Sequence, residues 1–377
     1  MRRSAASTAG RAHRLRLLND GAFFEAFERA VASARRRISV ETYILASDET
    51  GWRVAADLVE AARRGVEVRL CYDGVGSLEL DPNLLRYLHG AGVRTAAYRP
   101  LSLSRRTWPW SRRNHRKSLI VDGWLGIVGG MNIAADYDAV ERGGAGWRDT
   151  SIEVAGPAVL ELEESFAEVW RRAGGERFQP SALVPDPGPT PEERDAPEVR
   201  FTHNFLRRQR AEIHRSYLRR IRAARTRIRI VNAYFVPDRR LRAEITGAAR
   251  RGVDVEIITA GNTDVPLARL ASRSYYPVLL KAGVKLYEWN ERVLHAKTAV
   301  IDGAWSTVGS SNLDYFSSFR NLEVNAVVSS SSFGEQMERQ FAEDRDRSTA
   351  VTMAWWKTRP AAERLFDFCF RQLARGY

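Results

Sequence analysis

Asn114-His115-Arg116-Lys117-Ser118-Leu119-Ile120-Val121-Asp122-Gly123 and Leu294-His295-Ala296-Lys297-Thr298-Ala299-Val300-Ile301-Asp302-Gly303 repeat one pattern, His-x-Lys, four residues, then Asp-Gly. Each is followed by a run of small residues ending in Asn, Gly129-Gly130-Met131-Asn132 and Gly309-Ser310-Ser311-Asn312, so that Asn stands seventeen residues beyond His both times. Along a strand, residues i and i+2 share a face, which places His115 beside Lys117 and His295 beside Lys297. Each pair joins a titratable imidazole to a fixed positive charge. Asp-Gly between two apolar runs is a hairpin turn, which folds the Asn-bearing loop back toward His and Lys. On the residues alone, Asp122 and Asp302 read as turn formers.

Around this motif the chain is duplicated. Ala34-Arg35-Arg36-Arg37-Ile38-Ser39-Val40 answers Ala224-Arg225-Thr226-Arg227-Ile228-Arg229-Ile230, and Ala61-Ala62-Arg63-Arg64-Gly65-Val66-Glu67-Val68 answers Ala248-Ala249-Arg250-Arg251-Gly252-Val253-Asp254-Val255. Each reads as a helix closed by Gly and feeding a β-branched strand. Helices alternate with strands before the hairpin in both halves, so the fold class is α/β, with sheets covered by helices. The stretch 176–199, rich in proline, reads as a linker between a first unit (17–175) and a second (200–350), flanked by a basic arm (1–16) and an aromatic, basic tail (351–377).

With 377 residues the chain has ample length for two cores, and no apolar run approaches the roughly 18 residues of a membrane span. The N-terminal arm lacks the apolar region of a secretory signal, which suits a cytosolic protein. Cys71 lies in an apolar strand and is expected as a buried thiol. His13, His89, His203 and His214 form no ligand cluster with Cys71 and Cys369, so neither a metal nor another cofactor is expected. The net charge of +13 calls for an anionic partner, whether phospholipid headgroups, nucleic acid or a small anion.

The doubled motif resembles that of the phospholipase D superfamily, and the order of segments is similar to the short bacterial cardiolipin synthases of the B type. The likeness runs from about His13 to Arg347 and includes Glu41-Thr42-Tyr43, Asp73-Gly74-Val75-Gly76-Ser77, Asn232-Ala233-Tyr234-Phe235 and Val308-Gly309-Ser310-Ser311-Asn312-Leu313-Asp314. The resemblance implies two phospholipase D-like α/β sandwich units related by a pseudo-twofold axis, with mixed sheets flanked by helices. It implies a catalytic set of His115, Lys117, Asp122, His295, Lys297 and Asp302, one histidine attacking phosphorus and the other serving as acid and then base. Analogy favours His115 as the nucleophile, although the two motifs themselves do not separate the roles. Asn132 and Asn312 would help the lysines hold the phosphoryl oxygens, and Ser310 would bind phosphate or orient the site. Asp149 and Glu323 would each hydrogen-bond a histidine, with an ordinary surface ion pair as the plainer alternative. Glu41 and Asp73 are expected near the site mouth, as loop-ordering or capping groups before substrate contacts.

Ser104-Arg105-Arg106-Thr107-Trp108-Pro109-Trp110-Ser111-Arg112-Arg113 suits a lipid headgroup region, a nucleic acid or an Arg-Trp stacked lid. In the tail, Leu365, Phe366, Cys369, Phe370 and Leu373 share one helical face that suits either a bilayer surface or the protein body. With the resemblance, these features imply a peripheral enzyme on the cytoplasmic side of the cell membrane. It would transfer a phosphatidyl group from phosphatidylglycerol, or a related phospholipid, to an alcohol, typically a second phosphatidylglycerol, with an anionic membrane surface as partner and no protein partner expected. A hydrolytic phosphodiesterase or nuclease is the first rival. A non-enzymatic binding protein, at odds with the complete motifs, is the second.

Overall fold

The computed structural model describes residues 13–101, 112–182, 197–204 and 211–359. The basic arm up to residue 12, Ser104 to Ser111, the linker core at 183–196 and the tail face from Leu365 to Leu373 lie outside the described residues. The first half runs β1 (Arg14–Asn19), α1 (Ala22–Ser33), β2 (Arg37–Thr42), α2 (Glu49–Arg63), β3 (Glu67–Asp73), α3 (Pro82–Gly90), β4 (Arg94–Tyr98), β5 (Ser118–Val121), β6 (Leu125–Gly129), β7 (Thr150–Ala155) and α4 (Val159–Arg172). The second runs β8 (Glu198–His203), α5 (Glu212–Ala223), β9 (Arg227–Asn232), α6 (Arg239–Arg250), β10 (Asp254–Ala260), α7 (Pro266–Arg273), α8 (Tyr276–Lys281), β11 (Lys285–Trp289), β12 (Lys297–Ile301), β13 (Trp305–Gly309), α9 (Tyr315–Phe319), β14 (Val324–Ser329), α10 (Ser331–Asp346), β15 (Ser348–Val351) and α11 (Met353–Thr358).

Strand order is β1-β7-β6-β5-β2-β3-β4 in the first sheet and β8-β14-β13-β12-β9-β10-β11-β15 in the second, one order with one added edge strand. The strands β2, β3 and β4 are parallel, as are β9, β10 and β11, while the hairpin strands run against them. Local chemistry explains the repeat. Asp48 caps α2 by accepting from the Gly51 N–H at 2.8 Å, and Asp238 caps α6 through the Leu241 N–H at 2.8 Å. Gly65 and Gly252 end these helices at φ +88° and +89°, a left-handed conformation that glycine adopts at no steric cost.

Three boundaries differ from the sequence reading, one of them by Val351, assigned to the tail and paired in β15 with Leu286. Arg14 to Arg16, assigned to the arm, are already strand β1, paired with β7 from Arg14↔Ala155 onward. Alternation of Leu15 and Leu17 with Arg14 and Arg16 is a strand pattern that the clustered charge obscured. At the other end, Glu198 and Val199 of the linker belong to β8.

The turn aspartates are structural. Asp122 and Asp302 sit at φ +54° and +53°, followed by Gly123 and Gly303 at +67° and +65°. The Asp122 carboxylate accepts from the N–H groups of Arg35, Arg36 and Arg37 at 2.8–2.9 Å, and Asp302 does the same for Arg225, Thr226 and Arg227 at 2.8–3.0 Å. Each thus fixes the start of the strand beside the hairpin. Four strand residues stand between each and its lysine, a span of roughly 16 Å, so the expected place of Asp122 and Asp302 in the catalytic set is corrected.

The halves share a core. Ile120, Val128 and Ile152 of the first sheet pack in one cluster with Val300, Val308, Val324 and Ala326 of the second. A buried ion pair crosses beside it, from Arg148 Nη2 to Asp344 Oδ2 at 2.7 Å, with a second hydrogen bond from Nε to Oδ1 at 2.8 Å.

Two consequences are measurable by urea unfolding. Asp122→Ala, leaving three backbone donors at the entry to β2 without their carboxylate, will lower stability by roughly 2–4 kcal/mol. Asp344→Ala will cost about 3–5 kcal/mol by leaving the buried Arg148 guanidinium with only the longer ion pair to Asp20 at 3.4 Å. Loss of under about 0.5 kcal/mol in either variant would contradict these assignments.

Candidate active site

Both His-x-Lys pairs lie where the hairpins start, at the edge reached by the C-terminal ends of the parallel strands. The backbone just ahead of each histidine pairs with the other half. The His115 N–H donates to the Leu322 carbonyl at 3.0 Å and the Leu322 N–H to the Arg113 carbonyl at 2.9 Å. In the mirror arrangement, the His295 N–H donates to the Arg148 carbonyl and the Arg148 N–H to the Val293 carbonyl, both at 2.8 Å. Leu322 and Arg148 immediately precede Glu323 and Asp149, so these bridges deliver each carboxylate to the histidine of the opposite half.

The result is a crossed pair. His115 Nδ1 lies 3.1 Å from Oε2 of Glu323, and His295 Nδ1 lies 2.7 Å from Oδ2 of Asp149. The sequence reading expected both carboxylates on histidines, and that is the arrangement; the exchange between halves was not legible. With Nδ1–H donated to a carboxylate, each ring turns Nε2 outward, and among the described residues neither Nε2 has a hydrogen-bond partner.

Each ammonium is held by its own strand. Lys117 Nζ donates to the His115 carbonyl at 2.8 Å and lies 5.3 Å from the Tyr43 ring centre; Lys297 Nζ donates to the His295 carbonyl and lies 5.9 Å from the Tyr234 ring. Burial brings Lys117 down to about 7 and Lys297 to about 8, in each case against the pull of nearby carboxylates. Burial likewise lowers His115, opposed by Glu323, and depresses His295 further with the help of both lysines. The Asp149 carboxyl is raised to about 6 by burial, against the opposing pull of Lys297.

The halves differ around this common frame. Ser310 Oγ donates to Glu323 at 2.5 Å and accepts from the Val324 N–H, so of its two expected roles the orienting one is occupied. Gly130 stands at the matching place, where a Cβ would lie 2.3 Å from the Asp149 carboxylate. Asn132, expected on a phosphoryl oxygen, is instead engaged at both ends of its amide: Oδ1 accepts from the Ile44 N–H at 3.1 Å and Nδ2 donates to the Tyr137 hydroxyl at 2.7 Å. That expectation is corrected for Asn132, whose amide braces the loop. Asn312 is buried, yet its Oδ1 has no partner among the described residues.

Glu41 and Asp73 order the approach to His115. Glu41 is fully buried against Arg116 at 3.0 Å and accepts from Asn114 and Ser118, while Asp73 accepts from the N–H groups of Val75, Gly76 and Asn114. Sequence reasoning missed the rings around His295. Tyr137, Trp147 and Tyr234 lie 5.2–6.1 Å from it, whereas Tyr43 lies 5.1 Å from His115. It also missed the Arg148 anchor, signalled only by adjacency to Asp149. Among the described residues no group of three or more His, Cys, Asp or Glu is placed to hold a metal ion, and no helix is long and apolar enough to cross a membrane.

Comparison with known proteins agrees with this architecture. The chain is 32% identical over 352 residues to a cardiolipin synthase of Alkalihalophilus pseudofirmus, covering 92% of this chain and 68% of the relative. It is 34% identical over 359 residues to cardiolipin synthase B of Salmonella typhi, covering 91% and 85%. Among solved structures, phosphatidylserine synthase of Haemophilus influenzae shares the fold at a TM-score of 0.70 and 13% identity, covering 96% of this chain and 93% of that one. The profile described as "Cardiolipin synthase, PLD-like domain" matches residues 27–170 and 217–345, one match per half. The chain therefore belongs to the cardiolipin synthase family of phospholipase D-like proteins.

Proposed function

We propose that this chain is a transphosphatidylase that moves a phosphatidyl group from phosphatidylglycerol, or a related phospholipid, to an alcohol, in the main case a second phosphatidylglycerol. The crossed imidazole-carboxylate pairs carry this reading, because they supply two imidazoles of like tautomer, each beside an ammonium. The names of the family relatives supply the substrate class.

In the first step, Nε2 of one histidine attacks phosphorus, forming the P–N bond of a phosphohistidine. The other histidine, protonated, gives its proton to the departing glycerol oxygen. That histidine then takes a proton from the incoming hydroxyl, whose oxygen displaces the imidazole and restores both groups. Neutral imidazole is needed for attack, and the burial that depresses both histidines provides it. Lys117 and Lys297 stabilise the charge on the equatorial oxygens, with the Asn312 amide in reach of the same group. Asp149 and Glu323 hold the tautomers and stabilise the imidazolium form, as the acid of a hydrolase triad does. The enzyme works on the cytoplasmic face of the membrane as a peripheral protein.

The decisive assay incubates the protein in mixed micelles of phosphatidylglycerol, with and without a chelator, and reads the lipids by mass spectrometry. Cardiolipin and glycerol are expected, abolished in His115→Ala and His295→Ala and unaffected by the chelator. Untouched lipid together with metal-independent cleavage of DNA would move the assignment to the nuclease branch. Asp149→Asn and Glu323→Gln will each reduce kcat by roughly 10³- to 10⁴-fold, and by similar factors, since each serves one half of a shared site.

The pH profile of kcat/KM tests the lysines. Their cationic form acts, and it exists below the folded pKa; with values of about 7 and about 8, they add a further decline as pH rises through that range, above the one set by the lowered acid histidine. Lys117→Arg and Lys297→Arg will shift this alkaline limb upward, and a limb that stays in place in both variants assigns the titration to other groups. On the acid side, the depressed nucleophile keeps activity to a pH below the ordinary histidine value of 6.5.

A further inference from the structure

We propose that the edge of the molecule around the paired histidines docks face-on against a phospholipid bilayer, with exposed apolar side chains of its loops entering the interface. The inference rests on the reading that the substrate is a bilayer lipid, and it names the surface through which the enzyme meets it.

The parallel strands place these loops. In the first half β2, β3 and β4 end where β5 begins, Glu41 lying opposite Ser118. Leu78 follows Asp73, whose carboxylate accepts from the N–H of Asn114 at 2.8 Å, one residue before His115. Leu101 follows Arg99, whose carbonyl accepts from the Arg113 guanidinium at 3.0 Å. Val140 lies in the loop that carries Tyr137 and Trp147 to His295. In the second half Val265 and Leu267 follow Asp264, which accepts from the Tyr234 hydroxyl at 2.6 Å. Phe316 lies four residues beyond Asn312, and its carbonyl accepts at 2.8 Å from the N–H of Asn321, beside the Leu322 that pairs with His115.

These six side chains are exposed, Leu78 to 58%, Leu267 to 62% and Phe316 to 52%. Away from this edge the described residues expose large apolar side chains only at Tyr87, Val278 and Trp355. Concentration of exposed apolar side chains around a site mouth marks an interaction surface. A bilayer is the occupant that the site itself requires. A diacyl donor and a diacyl acceptor keep their chains in the membrane, so their phosphates reach two buried histidines only if the loops around those histidines meet the headgroups. Glu79 and Asp264 stand beside Leu78 and Val265, and exposed Arg99 and Arg320 lie near Leu101 and Phe316, so the local charge is mixed and apolar insertion holds this edge; the overall charge of +13 adds a longer-range attraction to anionic lipid.

The test is flotation of the full chain with vesicles of phosphatidylcholine and phosphatidylglycerol in about 0.5 M salt, where long-range attraction is screened. Leu267→Asp and Phe316→Asp are each expected to lower vesicle partition roughly tenfold or more, and the double variant further. Turnover of a short-chain phosphatidylglycerol below its micelle concentration should be retained in all of them. Trp355→Asp, on the tail-side helix α11, should float as the wild type does. Variants at 267 and 316 that float normally, or a loss confined to Trp355→Asp, would overturn the proposal. Flotation needs no turnover, so absence of lipid transfer would refute the activity while leaving this surface to be judged by the same vesicles.

Discussion

The crossed pairing of His115 with Glu323 and His295 with Asp149 is the constraint on which the remainder of the molecule depends. Each half carries a complete His-x-Lys pair but borrows the carboxylate that orients its imidazole. A buried imidazole that must alternate between neutral and cationic forms needs a fixed anion beside it, and a fixed anion needs its own backbone anchored. The paired bridges through Leu322 and Arg148 provide that anchoring. The shared core between the sheets and the Arg148–Asp344 ion pair hold the bridges in register. Duplication thus yields one site, formed where the two copies exchange partners.

Symmetry of the frame coexists with asymmetry of the contents. Ser310 braces Glu323 where Gly130 leaves room for Asp149, and the position twenty-two residues beyond each histidine is Tyr137 in one half and Ser317 in the other. Tyr137 binds the Asn132 amide and packs against His295, so one asparagine becomes part of the scaffold while the oxygen of its counterpart Asn312 has no partner among the described residues. These differences surround the two imidazoles with unlike environments. They give a near-symmetric site the means to assign its histidines different tasks within one catalytic cycle.

The chemistry also explains where the charges sit. Both lysines depress His115 and His295, and Lys297 depresses Lys117, with burial the largest cause in each case. Carboxylates stand against these cations, Asp149, Asp264 and Glu323 all pulling Lys297 upward.

The repeat, the α/β class, the hairpin turns at Asp122 and Asp302, and the residue types of the site are legible in the sequence. These rest on local rules: a period-two alternation puts His and Lys on one face, Asp-Gly adopts the left-handed turn, and glycine ends a helix. Strand β1 went unread because its leucines alternate with the arginines of a basic segment. Tertiary structure alone decided which carboxylate serves which histidine, that Asn132 is a brace, that Arg148 reaches Asp344, and that the motif aspartates lie roughly 16 Å from their lysines along the strand. The physical reason is common to all four. Each depends on side chains or strand ends brought together from distant segments, and near-identical motifs in two halves leave within-half and between-half pairing equally compatible with the sequence until the sheets pack.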